Sequence, residues 1–141
     1  MWEIYSRGYP LQSVTSTGVR YINRFDLPRE AGGLVRLEEY FDVYPHEPKL
    51  LEAHDHVAFN LHLAMPQPDI QALLILNQGS SQFIGDDKMS SILLDLELRS
   101  NGSQPWASDD ARIWEYLERL RKRKNEAFES FITDKTRLLL Q

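Results

Sequence analysis

Two stretches that can form strands stand four residues apart, and that spacing limits what the chain can become. In His56 to Met65, Val57, Phe59, Leu61 and Leu63 alternate with His56, Ala58, Asn60 and His62. This is the period-two pattern of a strand with one buried face. The next apolar run, Ile70 to Leu76, follows the connection Pro66-Gln67-Pro68-Asp69. A parallel neighbour needs a crossover of roughly a dozen residues, so these strands pair antiparallel through a hairpin. Ser91 to Arg99 alternates again, with Ile92, Leu94, Leu96 and Leu98 on one face and Leu93, Asp95, Glu97 and Arg99 on the other. Ile70 to Leu76 is apolar on both faces, the mark of a central strand that needs cover on two sides.

The remaining segments complete a two-layer plan. Leu11 to Phe25 is rich in Val14, Thr15, Thr17, Val19, Tyr21 and Ile22, residues that favour a strand, with Gly18 marking a bend. Asp26-Leu27-Pro28 ends it. Leu34, Leu37 and Phe41 are spaced for a short helix, broken by Pro45-His46-Glu47-Pro48. Asn77-Gln78-Gly79-Ser80-Ser81 and Gly85-Asp86-Asp87-Lys88 have turn chemistry and read as loops. Ser108 is placed to cap a long helix, with Asp109 and Asp110 in its first turn. Ile113, Leu117, Leu120, Phe128 and Phe131 form its apolar stripe, interrupted at Lys124, and the helix is expected to run to about Ile132. Leu138, Leu139 and Leu140 in the tail are expected to find cover. The predicted fold is α+β: one domain over residues 1–141, a mainly antiparallel sheet of about four strands packed by a long C-terminal helix.

Composition narrows the chemistry. The chain has 141 residues, a length typical of one domain, and no cysteine. Disulfides, thiolate nucleophiles and cysteine-based metal sites are therefore excluded. Charged residues make up 26% and the net charge is -5. Residues 1–107 hold 8 Lys/Arg against 14 Asp/Glu, and residues 108–141 hold 8 against 7. An acidic body does not suit a duplex-binding domain, which neutralises phosphates with a basic face. No stretch approaches the ~20 apolar residues of a spanning helix. The opening Met1-Trp2-Glu3-Ile4-Tyr5-Ser6-Arg7 has no basic leader before an apolar run. A cytoplasmic location is the expectation.

Candidate sites are few. Arg20 and Arg24 share one strand face with Ile22, and Asp95 and Glu97 share a face of another strand. With Asn23, Asn60 and His62 they could make a polar sheet surface that binds a small ligand or carries acid–base chemistry. Cross-strand ion pairing is the structural reading of the same residues. His54 and His56, two apart on a strand, could hold a metal ion, with His46 or Glu52 as a third ligand. Arg119, Arg121, Lys122, Arg123 and Lys124 could contact nucleic acid or an acidic partner. They could equally be a solvated helix face with Glu115–Arg119 and Glu118–Lys122 pairs. Trp106, Trp114 and Tyr116 read as core and rim packing at the helix start. No phosphate-binding glycine loop, nucleophile elbow or His-Glu-x-x-His pattern is present, and no cofactor is expected.

Three strings resemble a sporadically distributed family of uncharacterised prokaryotic proteins. They are Gly18-Val19-Arg20-Tyr21-Ile22-Asn23-Arg24-Phe25 followed by Pro28, the strand Ile92-Leu93-Leu94-Asp95-Leu96-Glu97, and Phe128-Glu129-Ser130-Phe131-Ile132-Thr133-Asp134-Lys135. The resemblance spans Trp2 to Leu138. Members of that family carry a further stretch of chain ahead of the Arg-Tyr-Ile-Asn strand, and position 121 departs from the family in being Arg. The resemblance implies fold boundaries and no activity, substrate or functional residue. With the central strand needing cover, a homodimer or a protein partner over the exposed sheet is the expected assembly. The expected function is a non-enzymatic interaction or regulatory domain. The alternatives are a small-ligand or enzymatic domain using the polar sheet face, and nucleic-acid contact through the basic helix segment.

Overall fold

A computed structural model of the chain describes residues 13–29, 35–46, 58–81, 88–101, 106–107 and 110–140. Four strands, β1 (Gly18–Pro28), β2 (Asn60–Gln67), β3 (Ala72–Ser81) and β4 (Met89–Ser100), form one sheet in the order β1-β4-β3-β2. Every neighbouring pair is antiparallel. Among the described residues three helices accompany it: α1 (Leu37–Tyr40), α2 (Arg112–Phe131) and α3 (Asp134–Leu139). The α+β class, the antiparallel sheet and the long helix on one face all match the sequence reading. Among the described residues no helix is long and apolar enough to cross a membrane.

Register assigns the faces, because Cα partners in an antiparallel ladder point the same way. Tyr21, Leu96, Leu76 and Leu63 form one row, and Val19, Leu98, Leu74 and Met65 the next. This face builds the core, in which Leu76, Leu94, Leu96 and Leu98 pack with Tyr116, Leu120 and Phe131 of α2. Phe25 meets Phe41 edge to face at 5.5 Å, which joins the β1 end of the core to the segment after α1.

The string at the end of α2 closes the domain. Ile132 is extended, fully buried and bridged to Phe41, so the helix stops one residue earlier than expected. Thr133 then caps α3, and its amide donates to the Tyr40 carbonyl at 3.1 Å. Its Oγ1 donates to the Glu39 carbonyl at 2.6 Å, and the buried Thr136 Oγ1 to that of Tyr40 at 2.5 Å. Lys135 pairs with Glu39 and lies over the Tyr40 ring. Each hydroxyl satisfies a carbonyl of α1 that the short helix leaves without a partner.

Several elements depart from the sequence reading. Residues 77–81, read as loop, continue β3, and Ile70, read as strand, lies in a 3₁₀ turn over Pro68–Ile70. Pro66 and Gln67 belong to β2. Gly18 opens β1, while Val14 makes only an isolated bridge to Trp106. The expected cap Ser108 and the helical Leu34 lie outside the described residues. Asp110 serves the helix start, accepting the Arg112 amide at 2.9 Å. Tyr116 is buried where the stripe omitted it, and Trp114 is exposed. Leu138, Leu139 and Leu140 are 53–68% exposed among the described residues, so the expected cover is not seen.

Gln78 is 1% exposed on the core face, and neither of its side-chain polar atoms has a hydrogen-bond partner. A buried unsatisfied amide is destabilising, and leucine of similar volume removes the penalty. Gln78→Leu is therefore expected to raise stability by about 1 kcal/mol. A urea midpoint that falls or stays unchanged would contradict this.

Candidate functional site

The opposite face of the sheet carries the polar candidates. β1 contributes Arg20, Ile22, Arg24 and Asp26; β4 contributes Ser91, Leu93, Asp95, Glu97 and Arg99. β3 adds Leu73, Ile75, Asn77 and Gly79, and β2 adds Asn60, His62, Ala64 and Pro66. Among the described residues no helix belongs to this face, since the core cluster draws its sheet members from the other one. Six sequence candidates, Arg20, Arg24, Asn60, His62, Asp95 and Glu97, thus share a single face. Asn23 does not. It lies on the core face and donates weakly to the Leu94 carbonyl at 3.5 Å.

A chain of hydrogen bonds crosses all four strands. Ile22, Asp95, Asn77 and His62 are Cα partners in one row. Arg20, diagonal to Asp95, reaches it bidentately, with Nε to Oδ1 at 2.9 Å and Nη2 to Oδ2 at 2.7 Å. Asn77 Nδ2 donates to Asp95 Oδ2 at 3.4 Å. That leaves Asn77 Oδ1 as acceptor for His62 Nδ1 at 2.6 Å. Asn77 Oδ1 can only accept, so Nδ1 is the donor in this bond, and Nε2 makes no hydrogen bond among the described residues. Arg20 is the residue of choice here because its fork matches a carboxylate.

The electrostatics follow from these bonds. The Arg20 guanidinium holds the Asp95 carboxyl below its ordinary range, with help from Asn77, and burial opposes the shift. Arg20 is raised in turn, first by its bond to Asp95. At the far end of β1, Asp26 accepts from Ser91 Oγ at 2.5 Å and from Arg24 Nε at 2.9 Å, and both lower it. Ile22, 61% exposed, stands amid these pairs. Arg20, Arg24 and Arg99 are matched by Asp26, Asp95 and Glu97, so the face is charge-balanced on a chain of net charge -5. Asn77, whose Oδ1 and Nδ2 link His62 to Asp95, was lost to the sequence reading because its segment has turn chemistry.

The basic helix segment does not form one surface. Arg119 lies over the Tyr116 ring at 5.2 Å and Lys124 over the Tyr21 ring at 3.3 Å. Lys124 is buried against the sheet, and desolvation, then Arg121, pushes its ammonium down. Arg121 pairs with Glu118 at 2.9 Å and Arg123 with Asp69 at 2.5 Å. Lys122 is exposed. The expected Glu115–Arg119 and Glu118–Lys122 pairs do not form; Glu118 takes Arg121, three residues on, instead.

His54, His56 and Glu52 lie outside the described residues, and His46 stands against Tyr44 with ring centroids 6.4 Å apart. Among the described residues no group of His, Asp and Glu could hold a metal ion. No family model, curated protein or solved structure matches the chain.

Proposed function

We propose that the chain is a non-enzymatic interaction domain whose open sheet face docks on the same face of a second copy. The observation that carries this reading is the exposed Ile22 set in a charge-balanced polar field. On a chain of net charge -5, this face offers equal numbers of guanidinium and carboxylate groups to a two-fold partner. Ile22, on the edge strand β1 between Arg20 and Arg24, gives such a contact its exposed apolar group. Bonds among Arg20, Asp95, Asn77 and His62 hold the side chains in place before association, which lowers the ordering cost.

Light scattering across a concentration series tests the reading. The expected molar mass is twice 16.5 kDa at high concentration, falling on dilution. Ile22→Glu is expected to give a monomer, with the same unfolding midpoint as the wild type at dilutions where both are monomeric. A wild-type chain that stays at 16.5 kDa throughout, or an Ile22→Glu variant that dimerises equally well, overturns it. The Nδ1 bond of His62 to Asn77, which leaves Nε2 without a hydrogen bond among the described residues, favours a second reading, in which the face binds a small proton-donating ligand through Nε2. Loss of that binding in His62→Gln with the molar mass unchanged would select it.

A further inference from the structure

We infer that the cavity at the start of α2 binds a small zwitterion of amino-acid size, its carboxylate on Arg119 and its ammonium on Glu115. This site is separate from the open sheet face and does not depend on it. The cavity measures about 210 Å³ and is lined by Gln71, Ser100, Trp106, Glu115, Tyr116 and Arg119, among others. That is below the ~300 Å³ at which pockets for drug-sized ligands begin.

The wall is built before any ligand arrives. Trp106 packs against Tyr116 with ring centroids 5.3 Å apart. Tyr116 Oη donates to the Gln71 carbonyl at 2.9 Å, and the Asn101 amide donates to the same oxygen at 2.9 Å. Gln71 itself adopts a left-handed backbone, with φ of 53°. The charges are arranged unusually. Glu115 and Arg119 stand at i and i+4, the spacing at which such residues ordinarily pair, yet no ion pair joins them. Arg119 lies instead on the Tyr116 ring; both side chains are exposed, neither makes an ion pair among the described residues, and Glu115 acts only at longer range on Arg112. Arg112, the other guanidinium on the wall, is clamped to Asp110 through Nε and Nη2.

Two opposite charges that line one small cavity without pairing to each other select the ligand class. A simple anion meets repulsion from Glu115, and a simple cation meets Arg112 and Arg119. A molecule carrying both charges satisfies each wall. A guanidinium seated on a ring presents its N–H edge as a fork for a carboxylate, and Trp106 offers a π face to a side chain.

The test titrates the full chain with the free L-α-amino acids, using acetate, methylamine and inorganic phosphate as single-charge probes. Binding is read by calorimetry and by tryptophan fluorescence, with Trp106→Phe assigning the optical signal. At least one amino acid is expected to bind, and acetate and methylamine are not. Arg119→Lys, which keeps the charge and loses the fork, and Glu115→Gln are each expected to weaken binding about tenfold or more. Absence of binding by every amino acid up to ~10 mM overturns the inference. So does phosphate or acetate binding as tightly as any amino acid, or wild-type affinity in both variants.

Discussion

Leu96→Ala is expected to cost about 3–4 kcal/mol of stability, a large share of the ~5–15 kcal/mol available to a domain. Leu96 is fully buried on β4, an internal strand, and its partners in the row are Tyr21 on β1 and Leu76 on β3. Both flanks are held by ladder hydrogen bonds, and Leu120 of α2, also fully buried, belongs to the same cluster. The space left by three missing carbons therefore cannot readily collapse, which keeps the site above the lower end of the ordinary range. Urea unfolding should show a lower midpoint with the slope unchanged. Leu138→Ala, on a residue 68% exposed, should change stability by less than about 0.5 kcal/mol. Equal losses at the two positions would mean the core is elsewhere.

Arg20→Ala should unfold at lower urea concentration than Asp95→Ala, although both remove the same ion pair. Asp95 has a side chain 11% exposed, against 56% for Arg20. Removing Arg20 strands the carboxylate with only the Asn77 amide at 3.4 Å, and an unsatisfied buried acceptor costs about 1–3 kcal/mol. Removing Asp95 leaves a guanidinium that water can reach. The difference between wild type and Arg20→Ala should also depend on pH. The Asp95 carboxyl is held below its unfolded value of 3.8, so its contribution is complete above that value and is lost as pH falls through the folded one. The Arg20→Ala deficit should therefore persist at neutral pH and shrink in acid. A deficit that is the same in acid and at neutral pH would assign it to packing of the arginine stem.

The parts of the fold legible in the sequence were those where one face is core and the other is not. Leu94, Leu96 and Leu98 alternate with Asp95 and Glu97, and their faces follow from period two alone. Residues 77–81 were not legible because Asn-Gln-Gly-Ser-Ser is turn chemistry, yet β2 extends the pairing to Gly79 and β4 extends it through Ser81. Glycine suits position 79: a Cβ there would lie 3.0 Å from the carbonyl oxygen of Phe59, just ahead of the edge strand, and would push that backbone aside. The tie at Ile132 to Thr136 was visible as a distinctive string, but its role in satisfying the carbonyls of α1 depends on a contact about 95 residues away. Period two also predicted that Arg20 and Arg24 share a face, as do Asp95 and Glu97. It could not supply register, and register makes Arg20 reach diagonally to Asp95 instead of its direct partner Glu97. Sequence spacing likewise suggested Glu115–Arg119 pairing, which the neighbouring Tyr116 ring displaces.

The most direct test of the open face as the docking surface is a methyl NMR dilution series of the isoleucine-labelled chain. The Ile22 methyl should shift with concentration while that of Ile92, buried on the core face, stays fixed. An Ile22 resonance that does not respond at concentrations where the molar mass doubles would contradict the account and move the interface elsewhere.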